Sequence, residues 1–299
     1  MTLNIGLINY LNTMPFHYDL AERLQDADVH YERGVPSQLN RALIAGEIDL
    51  APISAIEAAR HAEDVVILPG LSISGVGAVH TVLLFSWAAD MRDLDGQSIA
   101  LTDHSATSVA LLKLLCRERY HIEPEFVVMK QHLPSMLSEH QGALIIGDDA
   151  LVEGAHHRAF PLPSPNPSPV QWRGREGWGL PTIYDLSDEW LKMTGSPFVF
   201  ALWAARREKV EALDQAGVFE ALYASTQAGL TEGARDTLAQ AYAARLGLPV
   251  GVCRRYLRDL HYGLNEDDCA GLRRFLESAL PDFDWEQLEF WGQRERAAF

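Results

Sequence analysis

Ser98-Ile99-Ala100-Leu101-Thr102-Asp103-His104-Ser105-Ala106-Thr107-Ser108-Val109-Ala110-Leu111-Leu112 is a strand that stops in a polar turn and restarts as a helix. Residues 99–101 are apolar and few, as a buried strand requires. Residues 109–115 carry the length and the leucines of a packed helix. Between them the chain spends four hydroxyls, on Thr102, Ser105, Thr107 and Ser108. The first turn of a helix has N–H groups with no intrahelical partner, and its peptide dipoles gather positive charge there. Hydroxyls at that point either cap the helix or help to hold an anion. Both readings are open on the sequence.

Outward from this unit the same alternation recurs. Residues 3–8 read as the first strand, 9–16 as a polar turn in which Pro15 suits a loop or a first helical turn. Leu39, Leu43 and Ile44 fall at helical spacing behind Ser37, a candidate N-cap, and Gly46 closes that helix. Residues 48–53 are a buried strand that delivers Ser54 to the mouth of the next helix. Strands follow at 65–68 and, strongly apolar, at 79–85; beyond the hydroxyl-rich turn they follow at 126–129 and 143–146, the last ending in Gly147-Asp148-Asp149. Five prolines between 161 and 169 predict an irregular exposed loop. Residues 197–204 form another apolar strand, and everything after Arg206 reads as helices, over 210–229, 231–246, 250–260 and 267–280, without strands.

Strands alternating with helices predict an α/β protein with mostly parallel sheets and a helical C-terminal region. The strands near 86 and 198 are where the chain crosses between two bodies. The expected division is lobe 1 from 1–86 plus 199–299, and lobe 2 from 87–198. In such folds ligands lie at the carboxyl ends of the strands. That points to Asn12, Ser54, Ser105 and its hydroxyl neighbours, and Asp148. Each has a plain structural alternative: Asn12 bracing its own turn, the serines capping helices, Asp148 and Asp149 capping the helix after their strand.

Composition narrows the partners. The 299 residues carry a formal charge of −16, which repels nucleic acid and anionic membrane. An anion site has to be built locally. The three cysteines, Cys116, Cys253 and Cys269, are odd in number and show no metal-ligand spacing, so they read as free thiols. Eleven histidines include the adjacent His156 and His157 and the strand residue His80, but no helical pair with a carboxylate, so no metal is expected. No phosphate loop, dinucleotide fingerprint or serine elbow occurs, so no cofactor is expected. The N-terminus begins almost at once as a strand, without a charged and apolar leader, and no apolar run reaches the length of a span. The expected location is the cytoplasm.

Short motifs in a fixed order go further. Tyr10-Leu11-Asn12-Thr13-x-Pro15-Phe16, Pro36-Ser37-x-Leu39-Asn40, Gly46-Glu47-Ile48-Asp49, Ile53-Ser54 and Leu71-Ser72-Ile73 come first. Ser105-x-Thr107-Ser108, Ile146-Gly147-Asp148-x-Ala150-Leu151, Asp185-Leu186-x-x-x-Trp190 and Thr194-Gly195-x-Pro197-Phe198-Val199-Phe200-Ala201-x-Trp203 follow. The ordered set, from residue 3 to about 265, resembles the chorismate dehydratases of menaquinone biosynthesis by the futalosine route. The resemblance implies a two-lobe type II periplasmic-binding-protein-like fold. It implies dehydration of chorismate, a small dianion, to 3-[(1-carboxyvinyl)oxy]benzoate, without metal or cofactor. It implies that Ser105, Ala106, Thr107 and Ser108 hold one carboxylate and Ser54 the other. Asn12 would bond the leaving hydroxyl or the side-chain carboxylate, with Thr81 as a second donor. The base would be Asp148 or the substrate's own enolpyruvyl carboxylate. Two positions depart from the family pattern: Ala55 replaces a second serine after Ser54, and Thr81 replaces a serine. A non-catalytic carboxylate-binding protein and the sister 1,4-dihydroxy-6-naphthoate synthase are the alternatives.

Overall fold

A computed structural model describes residues 2–158 and 181–292. The proline-rich stretch at 161–169 lies outside the described residues.

Eleven strands form two sheets among these residues: β1 (Leu3–Ile8), β2 (Val29–Gly34), β3 (Leu50–Ser54), β4 (Val65–Gly75), β5 (Val82–Ser86), β6 (Ser98–Thr102), β7 (Glu125–Met129), β8 (Gly142–Ile146), β9 (Thr182–Asp185), β10 (Phe198–Arg206) and β11 (Leu260–His261). The first sheet has the order β11-β4-β10-β3-β1-β2 and the second β7-β6-β8-β5-β9. The expected α/β architecture is present, but the sheets are mixed. β1 runs parallel to β2 and β3, and β6 parallel to β7 and β8. The strands that bring the chain across, β5 and β10, pair antiparallel with their neighbours. A strand that enters a sheet from the other body arrives against the direction of the βα units, and periodicity alone does not reveal direction.

Local sequence explains the central elements. β3 is buried along its whole length, and β1 is buried on both faces from Ile5 to Ile8. That two-sided burial is why both read as apolar runs without alternation. Pro52 removes a donor from the middle of β3, and the β1 contact there is limited to Ile5 opposite Leu50. Gly46 ends the helix Pro36–Ala45 in the left-handed region, as its sequence position predicts.

Several boundaries move for identifiable reasons. Val82–Ser86 belongs to the second sheet, so the chain passes between sheets upstream of residue 86. Residues 79–81 are not strand. His80 has φ 63°, and its N–H donates to the Asp185 carboxylate at 2.7 Å instead of to a ladder. The turn at 9–16 is partly regular, a 3-10 helix at Leu11–His17. Ser37 is not a cap: Val35 holds that place, Pro36 opens the helix, and the Ser37 N–H donates to the His104 carbonyl at 3.1 Å. Gly147-Asp148-Asp149 opens the helix Gly147–Arg158. Gly217, with φ 72°, splits the expected 210–229 helix into Val210–Gln215 and Val218–Gly229. The C-terminal region also contains the two-residue strand β11.

The helix Val218–Gly229 packs on the 3-10 turn at Leu11–His17. A Cβ at Gly229 would overlap the Pro15 carbonyl oxygen. Backbone cannot rotate away as a side chain can, so Gly229→Ala should destabilise by about 2 kcal/mol. Urea unfolding should show a lower midpoint at an unchanged slope. A midpoint equal to wild type would mean that the turn is not held by this contact.

Candidate functional site

The parallel strands β1, β3, β6 and β8 end around one cleft. Beyond β1 it is lined by Tyr10, Asn12 and Thr13; Ser54 comes from the end of β3; Ser105 and Ser108 lie beyond β6, and Gly147 beyond β8. Thr81 and Val82 enter from the crossing segment, and Phe200 and Ala201 from β10. Ile53, Ile73, Val79, Ile146 and Leu260 complete an apolar wall. No lining side chain among the described residues carries a full charge. Five of the eight expected site residues therefore meet here: Asn12, Ser54, Thr81, Ser105 and Ser108.

The hydroxyls are oriented by neighbours. Asn40 clamps Ser54 twice: its Nδ2 donates to Ser54 Oγ at 3.1 Å, and its Oδ1 accepts from Ser54 N at 3.0 Å. Ser105 caps the helix Ala106–Leu115, accepting from Ser108 N at 3.2 Å, and donates to Ser108 Oγ at 3.0 Å. The capping reading and the cleft reading are thus both true of Ser105. Thr81 Oγ1 accepts from the Tyr256 phenol at 3.1 Å. Asn12 Oδ1 is buried and makes no hydrogen bond with the protein. A buried amide oxygen in that state favours a donor from a ligand.

Three expected residues do not reach the cleft wall. Thr107 is buried, and its Oγ1 accepts from Ile56 N at 3.2 Å, which ties the second sheet's helix to the start of the helix Ala55–Arg60. Ala106 is half-buried against the core, is not among the lining residues and has only its backbone to offer a ligand. Asp148 stands behind the turn that carries Asn12, with Oδ1 accepting from Leu11 N at 2.9 Å. Its Oδ2 is buried, and the nearest guanidinium, of Arg245, is 4.0 Å away. Burial pushes the Asp148 carboxyl up to about 6, against the pull of the Leu11 N–H and Arg245 and with a further push from Asp149. Asp149 accepts from Gln131 Nε2 at 2.8 Å. His80 does not line the cleft; its ring lies 3.3 Å from the Asp259 carboxylate.

Sequence reasoning missed three participants. Tyr10 was quoted only as motif, yet it lines the cleft, and its phenol lies 3.3 Å from His104 Nδ1. Burial, followed by the negative charges of Asp149, Asp148 and Asp103, raises the Tyr10 phenol far above its usual range, so it stays a neutral donor. Its ring also explains Gly147: with φ 72° that residue sits in the left-handed region, and a Cβ would lie 2.7 Å from the Tyr10 ring. Asn40 sits one face turn inside its helix, and polarity at a buried helical position is the signal that could have marked it. Tyr256 lies 175 positions from Thr81, and no local pattern links them.

Such a cleft suits an anionic ligand with a flat apolar body. Hydroxyl and amide donors bond the oxygens, and the poorly polarisable walls strengthen those bonds. Among the described residues no three His, Cys, Asp or Glu side chains stand together as metal ligands, and no helix is long and apolar enough to cross a membrane.

Comparisons with known proteins bear on the family and the fold. The chain is 35% identical over 274 residues to the chorismate dehydratase of Thermus thermophilus, covering 92% of this chain and 94% of that one. It is 29% identical over 209 residues to the chorismate dehydratase of Campylobacter jejuni, covering 68% of each. Its fold matches that of the periplasmic aliphatic sulphonate-binding protein of Escherichia coli, with a TM-score of 0.62 at 18% identity over 97% of this chain and 92% of that one. A family model described as menaquinone biosynthesis matches residues 3–280, and the chain belongs to that family.

Proposed function

We propose that the chain is a chorismate dehydratase, a carbon–oxygen lyase of the cytoplasm that forms 3-[(1-carboxyvinyl)oxy]benzoate and water. One observation carries the reading: a cleft of neutral donors and apolar walls, in a chain related to a chorismate dehydratase along nearly its whole length. The substrate has two carboxylates and a ring hydroxyl on a carbon next to one bearing a removable proton. Loss of both yields an aromatic ring, so the driving force lies in the substrate. The protein has to orient it and stabilise the charge that moves.

In this reading Ser105 aims the Ser108 hydroxyl, and Ser108 with the N-terminal amides of the helix Ala106–Leu115 holds one carboxylate. Ser54, fixed by Asn40, holds the other. Asn12 bonds the departing hydroxyl, and Thr81 donates beside it. The base is the substrate's own enolpyruvyl carboxylate: it takes the ring proton and passes it to the leaving hydroxyl, so water departs and the carboxylate is regenerated. Asp148 does not line the cleft, and its Oδ1 is committed to Leu11 N. Its part is to hold the turn that presents Asn12. The two bodies, one built on each sheet and joined through residues 79–81 and the strand β10, close on the substrate, and closure removes the water that would compete for these donors.

Chorismate incubated with the purified chain should give the enol-ether benzoate on chromatography; recovery of unchanged chorismate would leave a non-catalytic binding protein. Asn12→Ala should lower kcat by about a hundredfold with little change in KM. A kcat within a few-fold of wild type would reduce Asn12 to a turn residue. Ser105→Ala with Ser108→Ala should raise KM by about tenfold or more, because hydrogen bonds to a charged group are lost. Thr107→Val, which loses the bond from Ile56 N, should instead lower stability by about 1 kcal/mol and spare KM.

Asp148 gives a pH test. Unfolded, it releases its proton near 3.8; folded, near 6. Between those values the folded chain keeps a proton that the unfolded chain has lost. The associated stability is complete below the lower value and gone above the higher. Wild type should therefore fall behind Asp148→Asn by up to about 3 kcal/mol as pH rises from 4 to 7.5. Urea unfolding at several pH values measures this; parallel stability curves for the two proteins would reject it.

A further inference from the structure

We propose that Tyr256 is a positioning residue for the dehydration: by donating its phenolic hydrogen to Thr81 it occupies the acceptor side of that hydroxyl and leaves the Thr81 O–H to the substrate. The inference rests on the lyase reading above and goes beyond it, since it extends the site into the C-terminal helices.

The geometry is specific. Tyr256 stands on the helix Val250–Asp259 with 1% of its surface exposed, and its hydroxyl lies 3.1 Å from Thr81 Oγ1. Thr81 lines the cleft. A threonine hydroxyl has one hydrogen to give and two lone pairs to accept with. The Thr81 hydrogen goes to the Val79 carbonyl at 3.3 Å, a long bond for an O–H donor. A carboxylate or leaving oxygen in the cleft is a stronger acceptor and takes that hydrogen over. Tyr256 cannot reverse roles and accept from Thr81 without leaving its own hydrogen unpaired in the core, at a cost. Complete burial raises its phenol well above the usual range, with a smaller pull the other way from Thr81, so it keeps that hydrogen through the working pH range.

The bond also joins two parts of the chain that must agree for the cleft to form. Thr81 belongs to the segment that crosses between the sheets, just before β5, and Tyr256 to a helix just before β11. A purely structural role would predict that loss of the phenol loosens the crossing whatever stands at 81. A positioning role predicts that it matters only while residue 81 carries a hydroxyl.

Four proteins separate the two: wild type, Tyr256→Phe, Thr81→Val and the double variant, each assayed for kcat and KM on chorismate and for melting temperature. Tyr256→Phe keeps the ring in the core. It should lower kcat by about tenfold, with KM within about twofold, the size of one net hydrogen bond. On the Thr81→Val background the same change should cost less than about twofold. Thr81→Ser, which keeps the hydroxyl, should retain the full sensitivity to Tyr256→Phe. Effects that multiply across the two sites, or a Tyr256→Phe enzyme with wild-type kcat, overturn the inference. If wild type leaves chorismate unchanged, the lyase reading falls separately, and calorimetric affinities for 3-[(1-carboxyvinyl)oxy]benzoate decide. Non-additive weakening at 81 and 256 still supports the positioning role; additive weakening, or no binding, overturns it.

Discussion

The Leu11 amide donates to the Asp148 carboxylate at 2.9 Å across 137 positions of chain. It fastens the turn after β1, in the first sheet, to the helix after β8, in the second. Everything that makes the cleft depends on these two pieces keeping their places. Asn12 is the next residue on the turn. Gly147, the residue before Asp148, lets the Tyr10 ring lie against the helix start. Two more bonds cross in the same way, Ser37 N to the His104 carbonyl and Ile56 N to Thr107 Oγ1. All three use helix-start or turn amides, which have no ladder of their own to join. In all three the donor is a leftover backbone amide, and Thr107 spends its hydroxyl oxygen on the joining instead of on the cleft.

Three of the cleft hydroxyls share one arrangement. Ser54 accepts from Asn40, Ser108 from Ser105, and Thr81 from Tyr256. Each is supplied with a donor from behind, so its own hydrogen points elsewhere. A chain of formal charge −16 gains nothing from its overall field when it binds an anion. Short-range, pre-aimed dipoles answer that problem, because their orientation is set during folding and costs nothing when the ligand arrives. A lysine or arginine would bind the anion as well. It would also hold substrate and product alike, whereas a neutral donor can favour the charge that develops at a leaving oxygen.

How much of this was legible follows from range. Strands β1, β3, β6 and β8 were readable because two-sided burial makes them continuous apolar runs, and their carboxyl ends then named Asn12, Ser54 and Ser105. Gly46 was readable because only a glycine suits a left-handed helix end cheaply. What failed was decided at a distance. Residues 79–81 look like strand, but Asp185 captures the His80 N–H and bends the chain away. Thr107 looks like its serine neighbours, but Ile56, 51 positions away, takes its hydroxyl. Asp148 looks like a base at a strand end; its commitment to Leu11 is invisible until both sheets exist. Tyr256 carries no local mark at all.

Thr81 is intelligible on the same terms. A serine here would have a hydroxymethyl group free to turn among rotamers. A β-branched residue has fewer choices at χ1, and a donor bonded to its oxygen removes more of them. The crossing segment that carries it is not held by a sheet ladder: His80 has a positive φ, and its N–H is given to Asp185. A stiffer side chain and a buried phenol therefore supply the orientation that regular backbone would otherwise give. Ala55 stands directly after the clamped Ser54, where Asn40 already satisfies both the amide and the acceptor side of the hydroxyl. One oriented hydroxyl at that strand end supplies the donor that faces the cleft, and the neighbouring alanine is fully buried in the core instead.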